Sequence, residues 1–214
     1  VIDVQKPFGN VFYHLVDVNQ KIMKGDELEL YVDRERRKRI AANHTATHLI
    51  NAALKKVFGP NTVQAGSYVS DEKLRFDYTL YRAPDASEIK EVERIANDAI
   101  ACGYKVYKEL RPLSDAKKLG AVLLPGEKYS DPARFVLINH GGFGDLQRFS
   151  LELCGGTHVD DLKEVFKIRI IKESSVAKGI RRIEAVSGYS LVDWLCEKEK
   201  KLTEILDALE TDEN

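Results

Sequence analysis

The sequence predicts an α+β fold: a small N-terminal β-barrel portion, then helices packed on an antiparallel sheet, then a C-terminal amphipathic helix. Two patterns carry this prediction. Apolar residues recur at helical spacing in three long segments, and apolar and polar residues alternate in several short ones. The strand-like segments fall in groups between the helices, as is typical of an α+β fold. With 214 residues, 43% of them hydrophobic, the chain can bury a core in one large domain or two small ones.

Residues 1–34 are predicted to form the small β-barrel portion. Apolar and polar residues alternate over residues 11–16 and again over residues 27–32, as they do in strands with one buried face. Residues 24–26, Lys-Gly-Asp, provide a turn between the two segments. The pattern leaves open whether the barrel closes.

Residues 35–189 are predicted to form the main domain, beginning with a long helix. Asp33 is a suitable N-cap for this helix, and Gly59 followed by Pro60 ends it. A second helix starts at a variant capping box made by Asp85 and Glu88. Strands are predicted within residues 62–80, 104–110, 135–139, 165–172 and 180–186, with a short helix near Asp115.

Residues 190–214 predict an amphipathic helix that lacks a partner. Leucine and isoleucine recur at helical spacing from Leu191 to Leu209 amid dense charge. From residue 193 onward, eight acidic residues oppose three lysines, so the rest of the chain carries +4 although the whole carries −1. We expect this helix to begin a longer helical region, and we expect Val1 to mark a cut rather than a natural start.

Two pairs of side chains have the spacing of metal ligands. His44 and His48 lie four apart on the first predicted helix, so their imidazoles project from one face toward a single ion. Cys154 and His158 flank Gly155, Gly156 and Thr157, which suits a tight loop that turns both ligands toward one point. Three imidazoles and a thiolate favour zinc over calcium or magnesium, which prefer oxygen ligands. The alternative is that the histidines are half-buried helix residues and Cys154 is a core thiol.

Composition limits the class of protein. No apolar run approaches the length of a membrane span, and the N-terminus lacks the layout of a signal peptide, so we expect no membrane association. Three cysteines without a CxxC motif favour a reducing compartment, the cytoplasm, where Cys154 stays available as a ligand. Basic clusters within residues 33–39 and at Arg181 and Arg182 suit phosphate binding, or they are ordinary solvated surface.

Five motifs in this order resemble the editing domain of alanyl-tRNA synthetases, a superfamily that also contains free-standing editing proteins. They are RIAANHTATHL at 39–49, QAGS at 64–67, LRFD at 74–77, CGGTHV at 154–159 and GIRRIEA at 179–185. The resemblance covers nearly the whole chain. It implies a small barrel over residues 1–34, a zinc-containing editing domain over 35–189 and the start of the C-terminal helical region over 190–214.

The resemblance implies hydrolysis of Ser-tRNA(Ala) and Gly-tRNA(Ala) at the 3′-terminal ester. One zinc ion would be held by His44, His48, Cys154 and His158. Because four protein ligands are typical of structural zinc, we expect either that one ligand, His158, exchanges during the reaction or that the metal acts indirectly. The partners it implies are the acceptor end of tRNA(Ala) and the remainder of a synthetase chain, with homo-oligomers forming through the C-terminal region. The parent ligase would use ATP and magnesium, for which this chain shows no site. The sequence also departs from the family pattern in one respect, because the glycine-rich segment that usually precedes this region is absent here.

Further site residues are placed by position in these motifs. Gln64 and Thr47 are the expected catalytic polar residues, with Ser67, Gly155 and Gly156 lining the substrate pocket. Arg181 and Arg182 are expected to bind tRNA, but they are adjacent in a predicted strand, so at most one faces the substrate.

Two other functions remain open. One is a free-standing deacylase that acts in trans; the other is a non-catalytic tRNA-binding module stabilised by zinc. A zinc peptidase is disfavoured, because the segment from His44 to His48 lacks the glutamate that an HExxH enzyme uses as its base.

Overall fold

The computed structural model describes residues 1–8, 11–124 and 126–211. The chain divides into two compact units, Val1–Val32 and Asp33–Asn214. The end of the predicted acidic tail, Asp212 and Glu213, lies outside the described residues. Among the described residues, no helix combines the length and apolarity needed to cross a bilayer.

The described residues of the first unit form one antiparallel strand pair, made by β1 (Asp3–Phe8) and β2 (Val11–Leu15). The strand predicted at 11–16 is therefore present, but its partner is β1 and not the segment 27–32. That segment has no strand structure, and Leu28 and Leu30 are exposed. The described residues form no closed barrel, because alternation alone creates no strand when no sheet edge lies alongside to pair with it.

The second unit is an α+β fold with antiparallel pairing, as predicted, but its described residues form two sheets where one was expected. The first sheet has the strand order β3-β4-β9-β8 and the second β5-β6-β7. The strands of the first are β3 (Gln64–Val69), β4 (Leu74–Thr79), β8 (Ile168–Ala177) and β9 (Ile180–Ser187). Those of the second are β5 (Lys105–Arg111), β6 (Ala133–Asn139) and β7 (Ser150–Leu153).

Among the described residues, four α-helices complete this unit. They are α1 (Arg34–Phe58), α2 (Ala86–Ala101), α3 (Asp115–Leu119) and α4 (Gly188–Thr211). The side chain of Asp33 accepts a hydrogen bond from the Arg36 amide, and Gly59 ends α1 with φ of 94°. The capping box of Asp85 and Glu88 is present at the start of α2. These local signals are strong because each satisfies backbone amides that the helix itself leaves unpaired.

The middle of α1 is buried in a core to which both sheets contribute side chains. Leu49, Ile50 and Leu54 are fully buried with Leu74 and Phe76 of β4. The turns that carry His44 and His48 belong to this buried stretch, which runs from Ala41 to Leu54. The position of both histidines is therefore fixed by the packing of the whole helix.

Asn43 anchors α1 beside the first histidine. Its amide oxygen accepts from the backbone N–H of Ser187 at 3.1 Å and from that residue's hydroxyl at 2.8 Å. Its amide nitrogen donates to the carbonyl of Ser70 at 2.9 Å. One fully buried side chain thus ties α1 to the end of β9 and to the β3–β4 turn.

The helix α4 has the amphipathic character that the sequence predicts. Its first residues contact the core through Leu191, which is buried, but Leu195, Leu202, Ile205, Leu206 and Leu209 are exposed.

Candidate metal centre

The two predicted ligand pairs come together in the second unit. His44 and His48 project from α1, and Cys154 and His158 come from the loop that follows β7. One donor atom from each of the four residues lies within 4.8 Å of every other. The imidazole rings surround one point, with centroids 4.3 Å apart for His44 and His158 and 4.5 Å apart for His48 and His158. The group can hold a metal ion.

The distances fit a tetrahedral ion of the size of zinc. The Cys154 sulfur lies 3.5 Å from Nε2 of His44 and 3.3 Å from Nε2 of His158. In a tetrahedral zinc site, metal–ligand bonds of about 2.3 Å for sulfur and 2.0 Å for nitrogen place those two atoms about 3.5 Å apart. Within this donor set, the soft thiolate and the imidazoles disfavour calcium and magnesium.

The protonation states also suit ligation. Burial alone would raise the pKa of the Cys154 thiol, but hydrogen bonds with His158, His44 and His48 lower it to about 3. Burial lowers the pKa of His158 to about 3 as well. At neutral pH the group therefore presents a thiolate and a neutral imidazole, which are the forms that bind metal.

Thr45 fixes the orientation of His158. Its hydroxyl donates to the carbonyl of Ala41 at 2.9 Å and accepts from the backbone N–H of Val159 at 3.2 Å. Since the hydroxyl proton is already used, Nδ1 of His158, also 3.2 Å away, acts as a donor to it. Ligation would require the proton of the neutral ring to sit on Nδ1, facing Thr45, so that the Nε2 lone pair replaces the hydrogen bond to the Cys154 sulfur with a bond to the metal.

Glu152 lies behind His48 at ion-pair distance, without a hydrogen bond to its Nδ1. Its Oε2 lies 3.5 Å from Nδ1 of His48, and both side chains are buried. Its Oε1 accepts hydrogen bonds from Asn51 at 3.0 Å and from Ser150 at 3.1 Å, so the carboxylate is held in place. A carboxylate behind a histidine is the common arrangement that orients a metal ligand and increases its basicity.

The loop that carries Cys154 and His158 approaches α1 too closely for a side chain at its centre. A Cβ atom built on Gly156 would lie 1.9 Å from Cε1 of His44, whereas one on Gly155 would meet nothing within 4 Å. Arg134 of β6 holds the loop by donating to the carbonyls of Cys154 at 3.1 Å and Gly156 at 2.6 Å. The two glycines thus differ: Gly156 is a packing requirement, and Gly155 lies at the open edge.

The centre is accessible from one side. His48 and His158 are buried, while His44 and Cys154 are partly exposed and Gly155 is exposed. His158 is also held from behind by Thr45, which disfavours the expected exchange of this ligand. Any molecule that reaches the centre meets His44, Cys154 and Gly155 first.

The other predicted site residues lie in three places. Gln64 donates to the hydroxyl of Ser67 at 3.1 Å on β3, an edge strand, where Ser67 is exposed. Thr47 is buried, and its hydroxyl donates to the carbonyl of His44 at 2.6 Å. The proton of that hydroxyl is therefore used inside the helix, as is common for threonine at this position.

The two adjacent arginines of β9 point to different partners. Arg181 forms a salt bridge with Glu173 of β8, and Arg182 forms a bidentate one with Asp77 of β4, with distances of 2.6 and 2.8 Å. The side chains are 16% and 31% exposed, respectively. Both charges have partners within the sheet, which weakens the attraction of either for an external phosphate.

Sequence reasoning missed Thr45, Glu152 and Arg134. Thr45 lies next to His44 in the chain, so a search for hydroxyls beside ligands would have found it. Glu152 precedes Cys154 by two residues on β7, a four-residue strand too short to recognise by alternation. For Arg134, no signal in the sequence connects a strand residue with a loop twenty residues later.

Comparison with known proteins gives consistent matches. Residues 135–184 match the family described as the threonyl and alanyl tRNA synthetase second additional domain. The alanine–tRNA ligase of Elusimicrobium minutum is 45% identical over 211 residues, 99% of this chain and 24% of the ligase. That of Pseudoalteromonas translucida is 41% identical over 204 residues, 95% of this chain and 23% of the ligase. The chain spans about a quarter of the length of these curated relatives.

Replacing Gly156 with alanine is expected to weaken zinc binding strongly, because the new methyl group occupies the space of the His44 ring. Gly155→Ala is the matched control and is expected to bind zinc like the unmodified chain, since its Cβ meets nothing within 4 Å. Zinc affinity is measured by competition with a chromophoric chelator, with circular dichroism to verify folding. Equal affinities for the two variants would contradict the described packing of the loop against α1.

Replacing Glu152 with glutamine is expected to lower zinc affinity by about 10- to 100-fold, the usual cost of losing such a supporting carboxylate. The amide removes the charge that favours a proton on Nδ1 of His48, while preserving the size of the side chain. Glu72→Gln, at an exposed position, serves as the control for charge loss. Unchanged affinity in Glu152→Gln would show that His48 needs no support from Glu152.

Proposed function

We propose that this chain, which belongs to the editing-domain family of alanyl-tRNA synthetases, hydrolyses the ester that joins a wrong amino acid to the 3′ end of tRNA(Ala). The wrong amino acids are serine and glycine. The complete protein would be an alanine–tRNA ligase that uses ATP and magnesium elsewhere in its chain. The observation that carries the proposal is the preformed set of three imidazoles and one thiolate that is accessible from one side.

We assign the binding of the metal ion to the four ligands. His44, His48, Cys154 and His158 would bind one zinc ion, in the ligand states described above. When bound, zinc supplies a Lewis acid that polarises an ester carbonyl or lowers the pKa of water. Thr45, through its hydrogen bond with Nδ1, and Glu152, through its charge, would favour the ligating tautomers of His158 and His48, and Thr47, through its bond to the carbonyl of His44, would help position a third imidazole.

Selection of the substrate is assigned to polar side chains outside the ligand set. Serine exceeds alanine by one hydroxyl group, and an apolar synthetic pocket rejects an added hydroxyl only about a hundredfold, so a second, hydrolytic site is needed. We assign recognition of that hydroxyl to Gln64 and Ser67, which already share a hydrogen bond. Gly155 leaves the edge of the centre free of side chains for the ester.

Contacts with the tRNA are assigned to basic residues. Of the two arginines in β9, Arg182 is the more exposed and is the one we expect to contact RNA. The thiolate of Cys154 must remain reduced to act as a ligand, so we place the reaction in a reducing compartment, the cytoplasm.

One observation favours a second candidate function. Four protein ligands are typical of structural zinc, whereas catalytic zinc usually has three protein ligands and an open position. A non-catalytic tRNA-binding module stabilised by zinc would show the same four residues. The free-standing deacylase predicted as an alternative shares the proposed chemistry but would not be part of a ligase. All the relatives compared above are ligases, which favours a ligase as the parent protein.

The test is release of serine from Ser-tRNA(Ala), with Ala-tRNA(Ala) as the control substrate, by zinc-loaded, chelated and reloaded protein. We expect hydrolysis of Ser-tRNA(Ala) well above the background rate, loss on chelation, and recovery on reloading. His44→Ala should abolish the activity and Gly155→Ala should retain zinc binding. A folded, zinc-loaded sample that hydrolyses neither substrate would contradict the deacylase proposal and favour the structural module.

A further inference from the structure

A basic groove lies beside the metal centre in the second unit. It has a volume of about 770 Å³ and runs between the first turns of α1, the segment after the Cys154 loop, and the start of α4. We define it by Arg34, Arg37, Lys163, Phe166 and Tyr189. At one end it reaches Thr157 and the ligand His158. The mechanism proposed above makes no use of it.

Three of the five cations that line the groove have no carboxylate partner. Lys38 and Arg39 pair with Glu35 and Asp193, but among the described residues no carboxylate lies within ion-pair distance of Arg34, Arg37 or Lys163. The two acidic residues that line the groove are already bound: Asp160 pairs with Lys108, and Glu164 accepts from the backbone N–H groups of Asp160 and Asp161. Three adjacent unpaired cations make the groove attractive to a polyanion.

Two aromatic rings stand exposed at the same groove. Phe166 is 65% exposed and Tyr189 is 63% exposed. Phe166 has φ of 60°, a left-handed conformation that non-glycine residues rarely adopt, and it directly follows the 3₁₀ turn Leu162–Val165. The groove lining also contains the apolar side chains of Ala41, Ala42 and Val192. Exposed rings in a groove with apolar lining suit flat aromatic groups.

We propose that this groove seats the unpaired nucleotides at the 3′ end of the RNA substrate. Single-stranded nucleic acids are bound by grooves that combine cations for the phosphates with aromatic rings for the bases. Arg34, Arg37 and Lys163 contact phosphates, and Phe166 and Tyr189 stack on bases. Arg37 precedes His44 by seven residues, about 10 Å along the helix axis, so phosphates bound there are a few nucleotides from an ester at the centre. The inference rests on the proposed function.

The test uses an RNA hairpin that copies the acceptor stem of tRNA(Ala) and carries no amino acid, with or without its single-stranded 3′ end. Its binding is measured by fluorescence anisotropy over a series of salt concentrations. The double variant Arg34→Gln, Arg37→Gln is expected to weaken binding and to reduce the slope of log affinity against log salt by about 1.4, or 0.7 per lost phosphate contact. Phe166→Leu is expected to weaken binding about tenfold with no change in slope.

A charge-matched control is the double variant Lys90→Gln, Lys117→Gln, whose lysines are exposed on α2 and α3 outside the groove. It should bind with a slope close to that of the unmodified chain. Circular dichroism and zinc content verify that each variant is folded. For a hairpin without the 3′ extension, the groove variants should lose no affinity relative to the control.

Three results would overturn the inference: equal slopes in the groove and control variants, equal effects on both hairpins, or tight binding of an acidic peptide in place of RNA. Because the RNA carries no amino acid, there is no ester to hydrolyse and the binding result does not depend on hydrolysis. A chain that binds through the groove but hydrolyses nothing contradicts only the proposed function. A chain that hydrolyses Ser-tRNA(Ala) while all variants bind alike contradicts only the groove.

Discussion

The loop that carries Cys154 and His158 lies directly against α1, with no side chain between the backbone of Gly156 and the imidazole of His44. This contact lets donor atoms more than a hundred residues apart in the chain meet within 4.8 Å. The helix is held by its buried middle turns and by Asn43, and the loop is held by Arg134. Two rigid supports therefore determine the position of the centre, and the metal itself need not organise either of them.

The electrostatics of the centre follow from the same closeness. A buried thiol would ordinarily stay protonated, but three imidazoles around Cys154 reverse that preference. Thr45 lies at hydrogen-bond distance behind His158, and a carboxylate oxygen of Glu152 lies 3.5 Å from Nδ1 of His48. His44, Cys154 and Gly155 form the exposed edge of the centre, and the basic groove begins at Thr157 and His158, further along the same loop.

Much of this arrangement could be predicted from local sequence. The ligand pairs, the Asp33 cap and the Asp85 capping box involve residues at most four positions apart, where helix and loop geometry fix the spacing. The supporting residues could not be predicted in this way. Glu152 acts from a strand on the helix α1, and Arg134 acts from a strand on the ligand loop, so both roles depend on tertiary packing that no short window contains. The segment 27–32 shows the opposite error, because its alternation suits a strand but no partner strand lies alongside.

X-ray absorption at the zinc edge tests the central claim most directly, since it measures the atoms that surround the bound ion. The four-ligand centre predicts one sulfur at about 2.3 Å and three nitrogens at about 2.0 Å. It also predicts that the sulfur contribution disappears in Cys154→Ser. A coordination shell without sulfur in the unmodified chain, or a zinc content far below one ion per chain, would contradict the account.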